Sequence, residues 1–145
     1  EDQFFAMINI VRDVCGDRAT LRAIHFFAEN KRVARQIEAL KNNDIQTYFE
    51  LVMESGRSSW TLLQNVVPNG ETRHQNMAIA LALADKLLEG KGAYRVHGGG
   101  FAGTIQVFVP KGMVDVFRKG IDAALGRGSC HVLSVRAEGG ILSKL

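Results

Sequence analysis

The segment YRVHGGGFAGTIQVFVP, residues 94–110, decides the fold of this chain. Two short segments rich in β-branched and aromatic residues flank the glycine-rich residues 98–103, which predicts a strand, a loop and a second strand. Glycine reaches positive φ at little steric cost and lets a ligand or another backbone approach closely. A row of N–H groups without side chains can also bind an anion such as phosphate. The spacing alone leaves two interpretations open, a wide hairpin turn and a phosphate-binding loop.

Length and composition fit one domain with a hydrophobic core. The chain has 145 residues, of which 46% are hydrophobic. Its net charge of +3 comes from 18 basic and 15 acidic residues without a basic run, which argues against nucleic acid as a partner. No apolar run approaches the length of a membrane span, so we expect no membrane partner. Cys15 and Cys130 are far apart, which suggests neither a disulfide framework nor a zinc site and favours a cytoplasmic location.

The hydrophobic periodicity predicts a helical N-terminal half and a mixed C-terminal half. We expect helices over residues 3–14, 18–41, 71–89 and 113–125, and a further helix that begins at Ile45 and is interrupted at Gly56. Asp17 and Asp44 are candidate N-caps. Residues 131–135 predict a third strand, and a fourth strand is expected upstream of the chain. The predicted fold class is therefore α+β, a two-layer ferredoxin-like (split βαβ) small antiparallel sheet with helices packed on one face.

The long predicted helix over residues 18–41 carries two contrasting faces. Polar residues recur at steps of three and four and share one stripe: Arg22, His25, Glu29 and Arg32. Apolar residues mark the other face: Ala23, Phe26, Val33, Ile37 and Leu40. The polar stripe is either a solvated, salt-bridged face or a polar cluster buried against another domain. Residue spacing alone does not decide between these interpretations.

Few residues of this chain point to chemistry. The four histidines show none of the pairings typical of a metal site, and no metal ligand is predicted: His25, His74, His97 and His131. His97 ends a predicted strand directly before the glycine loop, where it is either a surface residue or a neighbour of a site. The glycine loop lacks the lysine of a P-loop and does not open a helix, and no nucleophile motif occurs. We therefore predict no catalytic residue in this chain.

Two motifs in the chain resemble those of a known enzyme family. The loop Gly98-Gly99-Gly100-Phe101-Ala102-Gly103-Thr104 resembles the third conserved motif of the GHMP small-molecule kinases, in the form found in galactokinases. The helical motif Arg22-Ala23-Ile24-His25, followed by Glu29-Asn30 and Arg32, is similar to a helix that galactokinases carry upstream. Further agreement lies in the next predicted helix and the proline after it: Asp44, Phe49, Leu51, Met53, Ser55, Ser58 and Pro68.

The resemblance implies that this chain is the C-terminal domain, residues 1–145, of a two-domain sugar kinase. The N-terminal domain of that family holds the catalytic residues and the phosphate-binding motif, neither of which occurs here. ATP and Mg²⁺ are then the implied cofactors of the full-length protein, and this chain alone is expected to be inactive. The implied partners are ATP, a sugar and the N-terminal domain, with a dimer of the isolated domain as another possibility. The implied site residues are the loop itself, with His97, Ser55 and Ser58 nearby.

Several positions depart from the galactokinase pattern, among them Ala102, Val96 and His97, and three further departures keep other functions open. Gly56 stands where the family has a histidine, and Thr61 and Leu62 stand where it has two aspartates. Galactose or a related sugar is therefore one expected acceptor, and a different small alcohol or sugar is another. A non-catalytic sensor or binding module on the same fold is the third alternative. The same resemblance also favours a partly buried Glu29 that is ion-paired to arginine.

Overall fold

The fold combines a helical N-terminal half with a β-hairpin flanked by two helices. A computed structural model describes residues 1–101, 103–135 and 137. The helices and strands follow in this order: α1 (Asp2–Ala6), α2 (Ile8–Cys15), α3 (Asp17–Lys41), α4 (Ile45–Ser58), a π-helix (Ser59–Leu63), α5 (Asn76–Leu88), β1 (Ala93–His97), β2 (Thr104–Phe108), a 3₁₀-helix (Lys111–Met113) and α6 (Val114–Leu125). The α+β class predicted from the sequence is confirmed.

The hydrophobic core lies between the hairpin and the helices α5 and α6. The strands β1 and β2 are antiparallel, with Val96 opposite Ile105. Because side chains alternate along a strand, this pair and its neighbours two residues away share one face. That face packs on two continuous clusters of buried residues: Val66, Met77, Leu81 and Val96, and Ala84, Leu88, Phe117 and Ile121. The order α5–β1–β2–α6, with both helices on one face, matches the inner part of the expected split βαβ arrangement.

Helix α4 packs on the other side of the hairpin, which the sequence did not predict. The rings of Tyr48 and Phe49 contact Phe108 of β2, with centroid distances of 5.7 and 5.5 Å. Helix α3 lies against α4, and α2 lies against α3. Asp44 caps α4 as predicted, because its carboxylate accepts a hydrogen bond from the backbone N–H of Thr47. The helical half therefore forms layers on the hairpin face opposite α5 and α6.

Several local predictions differ from the structure. Helix α4 continues through Gly56 instead of ending there, and the N-cap of α3 is Gly16, with Asp17 inside the helix. The helix expected from residue 71 begins at Asn76, because the Glu71 carboxylate accepts hydrogen bonds from the backbone N–H groups of Arg73 and His74 in a turn.

The third strand expected over residues 131–135 is wrong. These residues have no regular secondary structure, and the apolar side chains of Leu133 and Val135 are 89% and 93% exposed. Among the described residues the sheet has only the strands β1 and β2, so no strand edge pairs with this segment. None of the helices in the described parts of the chain is long and apolar enough to cross a membrane.

Candidate functional site

The glycine-rich loop joins two paired strands, as predicted. His97 opposite Thr104 is the last strand pair, so the loop begins at Gly98. Gly98, Gly100 and Phe101 adopt positive φ values of 64°, 83° and 61°. Ala102, a candidate loop residue, lies outside the described residues. Positive φ is uncommon for a phenylalanine, so the conformation at Phe101 needs support from its surroundings.

Asn65 supplies this support from below the loop. The Phe101 N–H donates a hydrogen bond to the Asn65 carbonyl oxygen, with an N···O distance of 2.6 Å. The Asn65 side-chain Nδ2 donates to the carbonyl oxygen of Gly99 at 3.3 Å. A side chain on Gly100 would collide with the Asn65 carbonyl oxygen and lie 2.9 Å from its Cβ. Sequence reasoning missed Asn65, because a single asparagine after an apolar run carries no motif.

The opposite side of the loop is open. A Cβ atom added to Gly98 or Gly99 would meet no atom within 4 Å. Residues 97–104 contain no aspartate or glutamate, so the loop can offer backbone N–H groups to an anion but no carboxylate to a metal ion. Backbone N–H groups of a glycine-rich loop are donors of the kind that phosphate groups accept hydrogen bonds from in other proteins. A divalent cation does not fit the donors of the loop, and the described residues contain no cluster of histidine, cysteine and acidic side chains that could hold one.

The three residues expected near the loop lie in two different places. His97 ends β1 at the base of the loop and is exposed. Ser55 and Ser58 are buried on α4, and their side-chain hydrogen bonds run to residues of α3 and β1. The structure therefore brings His97 to the loop and places the two serines in a separate polar cluster.

This polar cluster, formed by His25, Glu29, Arg32, Ser55, Ser58 and Arg95, joins α3, α4 and β1. The Ser55 hydroxyl donates to the Glu29 carboxylate at 2.7 Å and accepts a hydrogen bond from the Arg95 guanidinium. The Arg32 guanidinium pairs with Glu29 at 2.9 Å. On the neighbouring turn, His25 Nδ1 lies 2.9 Å from the Ser58 hydroxyl. Because Arg95 belongs to β1, the cluster connects the helical half with the strand that enters the glycine loop.

The environment of the polar cluster shifts two pKa values. Burial lowers the pKa of His25, and the nearby positive charges of Arg32 and Arg95 act in the same direction. Burial alone would raise the pKa of Glu29. The hydrogen bonds from Ser55 and Arg32 outweigh this effect and hold the pKa of Glu29 below its usual value. The cluster therefore contains a neutral histidine beside an ionised carboxylate near neutral pH.

The predicted polar stripe of α3 divides in the structure. His25, Glu29 and Arg32 face α4 and are largely buried, whereas Arg22 is exposed. The expectation of a partly buried Glu29 that is paired to arginine agrees with this geometry. The apolar face of α3 lies largely on the surface, where four apolar side chains are 47–59% exposed: Phe26, Val33, Ile37 and Leu40. We call these four residues the apolar stripe.

Cys15 and Cys130 form no disulfide with each other. Burial is the main cause of a raised pKa of the Cys130 thiol, which makes it a poor nucleophile. Neither cysteine lies at the glycine loop. The arrangement that remains as a candidate site is a loop of backbone donors with an open side, held on the core by Asn65.

Comparison with known proteins finds relatives among galactokinases. The chain is 35% identical over 101 residues to a galactokinase of Haemophilus influenzae, and this match covers 70% of the chain and 24% of that protein. It is also 35% identical over 98 residues to a galactokinase of Glaesserella parasuis, and 33% identical over 98 residues to one of Actinobacillus pleuropneumoniae. In each of these two cases the match covers 68% of the chain and 24% of the relative. No family model and no solved structure matches the chain significantly.

Proposed function

From its homology to galactokinases over 70% of its length, we propose that this chain is the C-terminal domain of a galactokinase-like GHMP kinase. The full-length protein transfers the γ-phosphoryl group of ATP, with Mg²⁺, to the anomeric hydroxyl of galactose or a related sugar. A cytoplasmic location belongs to the same proposal. The observation that supports the proposal is the glycine loop, which is open at Gly98 and Gly99 and is hydrogen-bonded to Asn65 through residues 99 and 101.

In this proposal the chain contributes positioning and not proton transfer. Phosphoryl transfer depends mainly on alignment of the reactants and on stabilisation of the negative charge on the transferred group. Backbone N–H groups at Gly98 and Gly99 can donate hydrogen bonds to phosphate oxygens without placing a side chain in the way. His97 is exposed at the base of the loop. The proposal assigns proton transfer neither to this histidine nor to any other described residue of the loop.

The N-terminal domain of the kinase is the proposed partner of the apolar stripe. The matched region is 24% of the length of the relatives, so a protein of galactokinase length has about three quarters of its residues outside this match. Four half-exposed apolar side chains along one helix are an unusual surface for a chain that stays free in water. We therefore assign the stripe to contact with the rest of the full-length polypeptide.

A charge introduced on the open side of the loop tests whether phosphate binds there. Gly99 has open space beside its Cβ position, so a longer side chain fits without moving the backbone. In the full-length protein, Gly99→Glu places a negative charge beside the expected phosphate site. The KM for ATP should rise about tenfold or more by like-charge repulsion. Steady-state kinetics at saturating sugar measure this change.

The matched control is Gly99→Gln, which has the same shape without the charge. Its KM for ATP should lie within about threefold of that of the unmodified protein, and both variants should keep the unmodified KM for the sugar. Equal KM values for ATP in the Gly99→Glu and Gly99→Gln variants would show that no phosphate lies near this side of the loop.

An acceptor other than galactose is the alternative, and the positions that depart from the galactokinase pattern motivate it. In the structure Gly56 packs on β1, and the Thr61 hydroxyl donates to the Arg57 carbonyl oxygen. At least these two departures therefore serve local packing. A panel of galactose, glucose, other hexoses and small alcohols, with ADP release as the readout, separates the acceptors. Absence of turnover with every member would favour a non-catalytic binding module.

A further inference from the structure

We propose that Asn65 is the positioning residue that sets the conformation of the glycine loop for ATP. Its carbonyl oxygen and side-chain amide hold residues 99–101, and the loop is open at Gly98 and Gly99, where an added Cβ atom would meet no atom within 4 Å. This inference rests on the proposed function and goes beyond it, because it names the group outside the loop on which phosphate binding depends.

The first support is that Asn65 makes hydrogen bonds to two residues of the loop, Gly99 and Phe101, which lie on either side of Gly100. Its carbonyl accepts from the Phe101 N–H at 2.6 Å, and its Nδ2 donates to the Gly99 carbonyl at 3.3 Å. Between these bonds, Gly100 approaches so closely that any side chain would collide with the Asn65 backbone. Residues 99–101 can therefore keep this conformation only while Asn65 stays where it is.

The second support is that Asn65 is itself fixed by the core. The residue is 3% exposed, and the next residue, Val66, packs in the same core cluster as Val96 of β1. The chain reaches Asn65 through the π-helix and then Gln64, which adopts the left-handed conformation at φ 52°. π-Helices occur frequently at functional sites, and a left-handed glutamine is uncommon. The π-helix and the left-handed Gln64 thus place Asn65 in contact with the loop.

The third support is an unsatisfied polar atom. The Asn65 Oδ1 is buried and accepts no hydrogen bond from the described residues. A buried amide with an unpaired oxygen is destabilising compared with an apolar side chain of similar size. An asparagine at this position therefore lowers the stability of the core, and its benefit lies in the hydrogen bond that its side-chain Nδ2 donates to the Gly99 carbonyl oxygen.

The test uses Asn65→Asp and Asn65→Ala in the full-length protein. The aspartate keeps the shape of asparagine, but its carboxylate repels the Gly99 carbonyl oxygen at neutral pH and cannot donate to it. We expect the KM for ATP to rise about tenfold in both variants, while the KM for the sugar stays within about twofold. A purely structural defect would lower the fraction of folded protein, and so the apparent kcat, without changing the KM for ATP.

Acid should rescue one variant and not the other. A protonated carboxyl can donate to the Gly99 oxygen as the asparagine amide does, and burial raises the pKa of a carboxyl. The KM of N65D for ATP, relative to the unmodified protein at the same pH, should therefore fall as the pH is lowered from about 8 to about 6. That of N65A should not change. Asn69→Asp, the same substitution at an exposed turn residue, is the matched control and should leave both KM values unchanged.

Amide hydrogen exchange of the 145-residue chain separates this inference from the proposed function. N65D removes the Nδ2 bond to Gly99 and keeps the backbone carbonyl that accepts from Phe101, so any faster exchange at Phe101 reports loosening of residues 99–101. The N–H of Phe101 should exchange at least about tenfold faster in N65D than in the unmodified chain, whether or not the protein is a kinase. Faster exchange without any kinase activity in the unmodified full-length protein would refute the function and leave the loop support intact. Unchanged Phe101 exchange, or an unchanged KM for ATP in both variants of an active enzyme, would overturn the role of Asn65.

Discussion

Single residues show most clearly that polar groups hold this domain together from within. Glu29 accepts hydrogen bonds from Ser55 and Arg32, and the serine in turn accepts one from Arg95 of β1. Buried charges are tolerated when they are paired or hydrogen-bonded, and here Arg32 pairs with Glu29 while Arg95 donates to the Ser55 hydroxyl. Removing one member leaves the others uncompensated, so each substitution in the polar cluster should affect stability more than the same change on the surface.

Glu29→Gln should lower the free energy of unfolding by about 2 kcal/mol, because hydrogen bonds to charged groups contribute about 1.5–3 kcal/mol. The arginines then lose their charged partner while remaining partly buried. Urea denaturation measures the change. Glu38→Gln, at an exposed position of the same helix, should change stability by less than about 0.5 kcal/mol. If both substitutions changed the free energy of unfolding equally, the polar cluster would add no more stability than an exposed surface residue does.

His25 should make the domain sensitive to mild acid. Because its pKa is lower in the folded than in the unfolded chain, the unfolded state binds a proton first as the pH falls. Stability should therefore be full above about pH 6.5 and decrease below it, where an unfolded histidine titrates. Further loss should follow near the ordinary pKa of a carboxyl, about 4.3, because Glu29 has a lowered pKa in the folded state.

Substitution of His25 tests whether this histidine causes the expected decrease of stability in mild acid. His25→Gln should flatten the dependence of the unfolding free energy on pH between about 6.5 and 5, measured by urea denaturation at each pH. His131→Gln, which changes an exposed histidine, should leave the dependence as it is. If the unfolding free energy of His25→Gln fell more steeply with decreasing pH than that of the unmodified chain, His25 would not be neutral in the folded state.

At the scale of elements, the packing of α4 against β1 depends on a glycine inside a helix. A Cβ at Gly56 would lie 3.1 Å from the Arg95 Cβ and 3.3 Å from the Tyr94 carbonyl oxygen. Neither atom can rotate away as the end of a flexible side chain could. Glycine is usually unfavourable in a helix by up to about 1 kcal/mol, so its presence here is explained by close approach and not by helix propensity.

Gly56→Ala should therefore destabilise the domain by about 1 kcal/mol or more, although alanine is the better helix former. Thermal denaturation detects the change. The matched control is Gly112→Ala in the 3₁₀-helix, where an added Cβ meets nothing within 4 Å and stability should be unchanged or slightly higher. A more stable Gly56→Ala variant would show that α4 can move away from β1 at little cost.

At the scale of the whole molecule, the apolar stripe of α3 is the largest contrast between sequence pattern and structure. Helical spacing places Phe26, Val33, Ile37 and Leu40 on one apolar face of α3, yet these side chains are half exposed. Three residues of the polar stripe, His25, Glu29 and Arg32, face inward instead and form the polar cluster with α4 and β1. A surface of this kind is expected to be covered in the full-length protein.

The 145-residue chain should therefore self-associate through this stripe when nothing else covers it. The double variant Val33→Lys, Ile37→Lys should be monomeric at concentrations where the unmodified chain forms dimers, as measured by light scattering after gel filtration. Lys31→Ala and Lys41→Ala, which remove exposed charges from the same helix, should not change the oligomeric state. A monomeric unmodified chain at high concentration would indicate that the stripe is too small to bind a partner.

The amino-acid sequence by itself determined the approximate positions of most helices, the hairpin, the α+β class and the similarity to galactokinases. These features rest on local periodicity, on glycine spacing and on the order of two motifs, all of which are properties of neighbouring residues. Asp44 as a helix cap was predictable for the same reason, since a cap involves only the next turn of the chain.

Only the tertiary structure decided which face of α3 is buried and that Asn65 supports the loop. It also showed that Gly56 lets α4 pack closely on β1 and does not end the helix. Each depends on partners far away in sequence: Glu29 with Arg95 through Ser55, Gly56 with Arg95, and Asn65 with Phe101. A residue pattern reports the tendency of a segment to form a helix or strand, but not the surface it meets. The glycine loop could thus be recognised from its spacing, whereas its contact with Asn65 and its open side at Gly98 and Gly99 follow from the packing of the chain around it.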